Sequence, residues 1–148
     1  MSLPSDPTAS SIARNRVVEL ASTVSDEDLD NVRLLVSELV TNAVKHAGLG
    51  PGETVGLDVR ARPRRVEVML RYPEHRGFEP RVPSDPGEAS RWGLFIVDRI
   101  ADRWSVVLTQ GVMEAWFELD CAPGCGLAFH PSSSRWCGER RQDMQRVR

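Results

Sequence analysis

The sequence has little that would tie it to a membrane, a disulfide framework or a nucleic acid. No apolar run approaches the roughly 18 residues of a membrane-spanning helix. Lys and Arg number 19 against 21 Asp and Glu, for a net charge of −2. That balance gives no general attraction to polyanions. The 3 cysteines all come at position 121 or later. They are too few and too late for a disulfide framework, so a reducing cytoplasm is the expected setting. The opening residues, Met1 to Pro7, lack the basic and apolar regions of a signal peptide.

What is present is enough for one domain, with 148 residues in all. Residues 34–47 form the most informative stretch. It holds no Gly or Pro, and apolar residues recur at Leu35, Val36, Leu39, Val40, Ala43, Val44 and Ala47. That period predicts a helix. Glu38, Asn42 and Lys45 stand at i, i+4 and i+7 and so project in nearly one direction. A narrow polar row on an otherwise apolar helix is either a solvated stripe or the wall of a pocket.

The other elements follow from pattern. Residues 1–7 read as a loose leader and 8–22 as a first helix. Ser25 is placed to cap a second helix over 26–47, with Asp28 at the capping-box position and acidic residues in the first turn. Gly48 can take the left-handed conformation that ends it. Val55, Leu57 and Val59, then Val66, Val68 and Leu70, alternate with polar residues and predict a hairpin turning at 62–65. Residues 72–92 are rich in Pro, Gly and charge and predict a long loop, of the length that usually carries function. A short helix from Gly93 to about Asp102 precedes a second hairpin, 104–108 and 113–119, around Gln110 and Gly111. This order predicts an α+β fold, a two-layer α/β sandwich with helices on one face of a mixed or antiparallel sheet. Residues 121–148, rich in Gly, Pro, Ser and Arg, predict a mostly disordered basic tail. Cys121, Cys125, His130 and Cys137 in that tail have irregular spacing for a zinc site.

Four segments over 8–120 resemble the histidine-kinase-like (GHKL) ATPases, and among them the anti-sigma factor serine/threonine kinases. Residues 37–46 are close to the family's N box. Gly77 to Pro80 match the end of its first glycine box. Residues 92–104 match the second glycine box and its helix, and 115–119 the last strand. The resemblance implies ATP and Mg²⁺ as cofactors, held in a pocket between the 34–47 helix and the segment from Tyr72 to Trp92. Asn42 would offer an oxygen to Mg²⁺. Glu38 would orient or deprotonate the attacking hydroxyl or water. Lys45 or His46 would meet phosphate oxygens. Gly77, and the backbone N–H groups of Gly93 and Leu94 at the start of the following helix, would lie near the phosphates.

The chain departs from the family pattern at three points. Counting back from Gly77 puts Pro73 where the family has the Asp that binds adenine, and His75 where it has the first Gly. Arg91 replaces a glycine of the second box, where it either crowds the phosphates or pairs with them. Two functions follow from the resemblance. One is a cytoplasmic kinase that phosphorylates a partner on Ser or Thr to control transcription. The other is a degenerate, non-catalytic interaction module. The implied partners are a sigma factor or a small anti-anti-sigma protein, with a homodimer as the assembly and no role for nucleic acid or membrane.

Overall fold

A computed structural model describes residues 1–20, 24–77 and 92–121. Among these, the chain runs β1 (Ser2–Pro4), α1 (Thr8–Val18), α2 (Asp26–His46), β2 (Thr54–Arg62), β3 (Arg65–Pro73), α3 (Trp92–Ile100), β4 (Arg103–Thr109) and β5 (Val112–Asp120). The five strands make one sheet in the order β1-β2-β3-β5-β4. Every neighbouring pair is antiparallel, so the expected α+β two-layer fold is realised with no parallel strand among the described residues.

The alternation in the strands decides which face is covered. In β3, Val66, Val68, Leu70 and Tyr72 are buried, and their partners on β5 are Leu119, Phe117, Ala115 and Met113, also buried. Against this face α2 lays Leu29, Val32, Leu35, Val36, Leu39, Val40 and Ala43, with spacings of three and four. Each fully buried side chain of this size contributes roughly 1.5–3 kcal/mol. α1 joins through Ala9, Ala13 and Val17, and α3 through Leu94 and Val97. Among the described residues no helix is long and apolar enough to cross a membrane.

α2 starts as its sequence requires. Ser25 is extended and its hydroxyl accepts from the Asp28 N–H at 3.2 Å. The same hydroxyl donates to the Asp28 carboxylate at 2.7 Å. Gly48, at φ +73°, turns the chain away after the helix.

Two expectations need correction. Residues 1–7 are no loose leader: Leu3 is fully buried and Ser2–Pro4 pair with β2 at one edge of the sheet. A three-residue strand carries too little alternation to be read from sequence. The first helix is also shorter than 8–22, ending at Val18. The expected tail, with Cys125, His130 and Cys137, lies outside the described residues. Cys121 itself closes the sheet, its N–H donating to the Arg64 carbonyl at 2.9 Å. Burial pushes its thiol up to about 11.

The β4–β5 turn offers a test. Gln110 and Gly111 both have positive φ, 51° and 77°. Such two-residue hairpin turns favour Asn before Gly. Gln110→Asn is expected to raise stability by about 0.5 kcal/mol, because Asn visits the left-handed region at lower cost. A urea melt with an unchanged slope checks it.

Candidate functional site

The N-box helix presents different sides to its neighbours. Arg14 of α1 donates to the Ser37 hydroxyl at 3.3 Å and to the Ser10 hydroxyl at 2.8 Å. Ser37 therefore marks the flank of α2 that α1 covers. With about 3.6 residues per turn, Glu38 is rotated about 100° from Ser37, and Asn42 follows one turn later. Both are half-buried. Both α1 and α3 pack on α2. Lys45 is exposed and His46 half-buried. The polar row is thus graded: its first two members are sheltered and its end reaches solvent.

The first glycine-box region abuts the end of this helix. The His75 N–H donates to the Ala47 carbonyl at 2.9 Å, satisfying a backbone group that the helix end would leave open. The His75 imidazole Nε2 lies 2.8 and 3.0 Å from the two Glu53 carboxylate oxygens. Glu53 also accepts from the Gly50 N–H at 2.7 Å. That backbone donor first, and His75 second, hold the Glu53 carboxyl below the usual carboxylate range. Arg76 lies over Gly48, where an added Cβ would stand 2.8 Å from its Cγ. Gly77 has φ +67°, and among the described residues nothing stands within 4 Å of where a Cβ would lie. Arg91 and the segment 78–91 lie outside the described residues.

The structure brings in one residue the family count had passed over. Glu74 continues the β3 ladder, its N–H donating to the Gly111 carbonyl at 2.8 Å. It therefore falls on the inward column after Val66, Val68, Leu70 and Tyr72, and only 8% of it is exposed. It is the one buried charged residue among the described residues. Its carboxylate accepts from the Arg76 N–H at 2.7 Å. Burial, and then the nearby Glu74 charge, push the Tyr72 phenol well above its ordinary range. Pro73, paired with Val112, belongs to the outward column. Extending the alternation of β3 by one step would have found Glu74.

The second glycine-box region forms the start of α3. Gly93 lies in its first turn, and Leu94, one residue on, is buried. The first N–H groups of this helix have no partner within it and carry the positive end of its dipole. α2 packs on both β3 and α3. Glu38 and Asn42 on α2 are half-buried, and Glu74, just past β3, is buried.

Comparison with known proteins bears on the fold and the family. Residues 3–117 match the family described as histidine kinase-like ATPase domain. No curated protein matches the chain. Among solved structures it is similar to the RsbU and RsbW domains of Rv1364c from Mycobacterium tuberculosis, with 20% identity and a TM-score of 0.59. The match covers 82% of this chain and 31% of that one. The likeness speaks to the fold, and the chain spans about a third of that structure's length. With the sandwich, the N-box helix and a family match over most of its length, this chain belongs to the histidine kinase-like ATPase domain family.

Proposed function

We propose that this chain is an ATP-dependent protein serine/threonine kinase of the anti-sigma type, acting in the cytoplasm to control transcription. The placement of Glu38 and Asn42 carries this proposal. They are half-buried and one turn apart on α2.

The donor set suits the cofactor. Among the described residues no three His, Cys, Asp or Glu form a metal cage. A magnesium ion that arrives with nucleotide phosphates needs only one or two protein oxygens and keeps several waters. The Asn42 amide oxygen is such a donor. Mg-ATP would supply the γ-phosphoryl group and neutralise charge on it. Glu38 would accept the proton of the attacking Ser or Thr hydroxyl of the partner. Lys45, exposed, and His46 would meet phosphate oxygens, as would the N–H groups of Gly93 and Leu94 at the start of α3. Gly77 would let the chain turn close to the nucleotide, and Arg91 would pair with phosphate. Glu74, inward and buried, would be the acceptor for the adenine amine in place of the aspartate that Pro73 replaces. The nucleotide-binding unit is residues 8–120 together with β1. The partners are a sigma factor or a small anti-anti-sigma protein.

A second proposal has its own observation. Arg76 lays a large side chain over Gly48, just past the end of α2, and the family has a glycine at the neighbouring His75 position. Arg76 already fills the space over Gly48. On this account the fold is kept as an interaction module with weak or no nucleotide binding.

Calorimetric titration with Mg-ATP and Mg-ADP separates the two. The kinase proposal expects saturable binding in the micromolar to millimolar range. A flat titration at millimolar nucleotide overturns it and favours the interaction module.

A further inference from the structure

Under the kinase proposal the nucleotide lies toward the C-terminal end of α2. Asn42 and Lys45 stand one and two turns past Glu38, and the His75 N–H reaches the Ala47 carbonyl at the helix end. In-line transfer sets the attacking hydroxyl opposite the departing ADP. The segment that carries this hydroxyl therefore approaches Glu38 from the N-terminal half of α2. One turn before Glu38 stands Leu34, 41% exposed. It is the one exposed large apolar side chain of α2 among the described residues. A single exposed Leu is ordinary, but here a second apolar side chain stands level with it. Pro4 pairs with Thr54, and Ser5 donates to the Gly50 carbonyl at 3.5 Å, so α1 starts beside the end of α2 and runs antiparallel to it. Arg14 meets Ser37. Val18, one turn further along α1, is therefore level with Arg33 and Leu34, and it is 45% exposed.

We propose that Leu34, with Val18 at its level, receives an aliphatic side chain of the phosphoacceptor segment, two residues from the Ser or Thr that is modified. This inference rests on the kinase proposal. Spacing selects the residue. The four residues from Leu34 to Glu38 rise about 6 Å along α2. An extended segment advances about 3.3 Å per residue and points every second side chain the same way. With its hydroxyl at Glu38 and its chain along α2, the segment sets the side chain two residues away over Leu34. Chemistry selects its type. An aliphatic group takes apolar surface of Leu34 and Val18 out of water. A charged group would lose its water there against two hydrocarbons, and the cation at this level, Arg33, already lies within 3.5 Å of Asp30. Leu34 stands apart from the proposed nucleotide contacts, so its effect falls on the acceptor alone.

Ser- and Thr-centred peptide libraries, with Mg-ATP and the full chain, make the test. Aliphatic residues two positions from the acceptor, on one side of it, should be favoured over Lys and Asp by at least about tenfold. Leu34→Lys should move that preference to Asp and Glu, and should raise KM for the aliphatic peptide about tenfold with kcat within about twofold. Calorimetric affinity for Mg-ATP should not change. The selected peptide with Ala in place of the acceptor gives a reading without turnover. Its binding, followed by fluorescence anisotropy, should weaken about tenfold in Leu34→Lys. A wild-type circular dichroism spectrum must accompany the variant; the library on the unmodified chain needs no variant. Phosphorylation with no aliphatic preference at that position overturns the proposal, as does a preference that Leu34→Lys leaves unchanged. Binding of Mg-ATP without phosphorylation of any peptide overturns it and leaves the nucleotide site standing. A flat Mg-ATP titration removes the kinase proposal itself, and this inference with it.

Discussion

Glu38→Gln is expected to slow phosphoryl transfer to the partner protein by about 10²–10⁴-fold, the usual worth of a positioned general base. The substitution keeps size and hydrogen-bonding capacity but removes the site that takes the proton. Affinity for Mg-ATP should stay within about threefold, because a base that acts on the attacking hydroxyl contributes to the transition state and little to nucleotide binding. Asn42→Ala should show the converse weighting. It removes an oxygen proposed for Mg²⁺, so Mg-ATP affinity should fall and magnesium dependence should shift to higher concentration. Both residues are half-buried at the flank of α2 and neither belongs to the core. Melting temperatures should therefore change little. Single-turnover transfer and calorimetry on the two variants make the check. If Glu38→Gln transfers phosphate at the wild-type rate, Glu38 is not the base.

Glu74→Gln should reduce ATP affinity by about 10- to 100-fold, since a hydrogen bond to a charged group is worth roughly 1.5–3 kcal/mol. The loss should be confined to nucleotides with an exocyclic amine at the adenine position, so GTP affinity should not follow it. Pro73→Asp should bring no gain. Position 73 lies on the outward column of β3, paired with Val112, and an acidic group there faces away from the helices. The paired outcome distinguishes two accounts of the first glycine box. If Pro73→Asp tightens ATP and Glu74→Gln leaves it unchanged, the adenine contact follows the family count. If the reverse holds, it has moved one residue along the strand. Glu74 also accepts from the Arg76 N–H, so a thermal melt must accompany the titration. A stability loss without selective loss of ATP would give Glu74 a structural role only.

Much of the architecture was legible before any coordinates. The spacing from Leu29 to Ala43 specifies a helix with one apolar face. Ser25 and Asp28 mark its start, Gly48 its end, and the alternation in β2, β3 and β5 their inward columns. These are local signals, each carried by a few residues of known period or conformational preference. The row of Glu38 and Asn42 was visible for the same reason, because a helix converts sequence spacing directly into direction.

Other features depended on which segments meet. β1 exists because Leu3 finds the core and β2 offers an edge, and three residues cannot announce that on their own. Residue identity alone left open whether the polar row of α2 faced a neighbour or solvent; in the structure Glu38 and Asn42 are half-buried and Lys45 is exposed. The choice between Pro73 and Glu74 also waited on the ladder. A motif count ties a role to a position along the chain, whereas the pleat ties it to a face, and one residue is enough to exchange the two faces. Local periodicity thus determined the elements and their buried sides, while long-range pairing decided which acidic side chain stands under the helices.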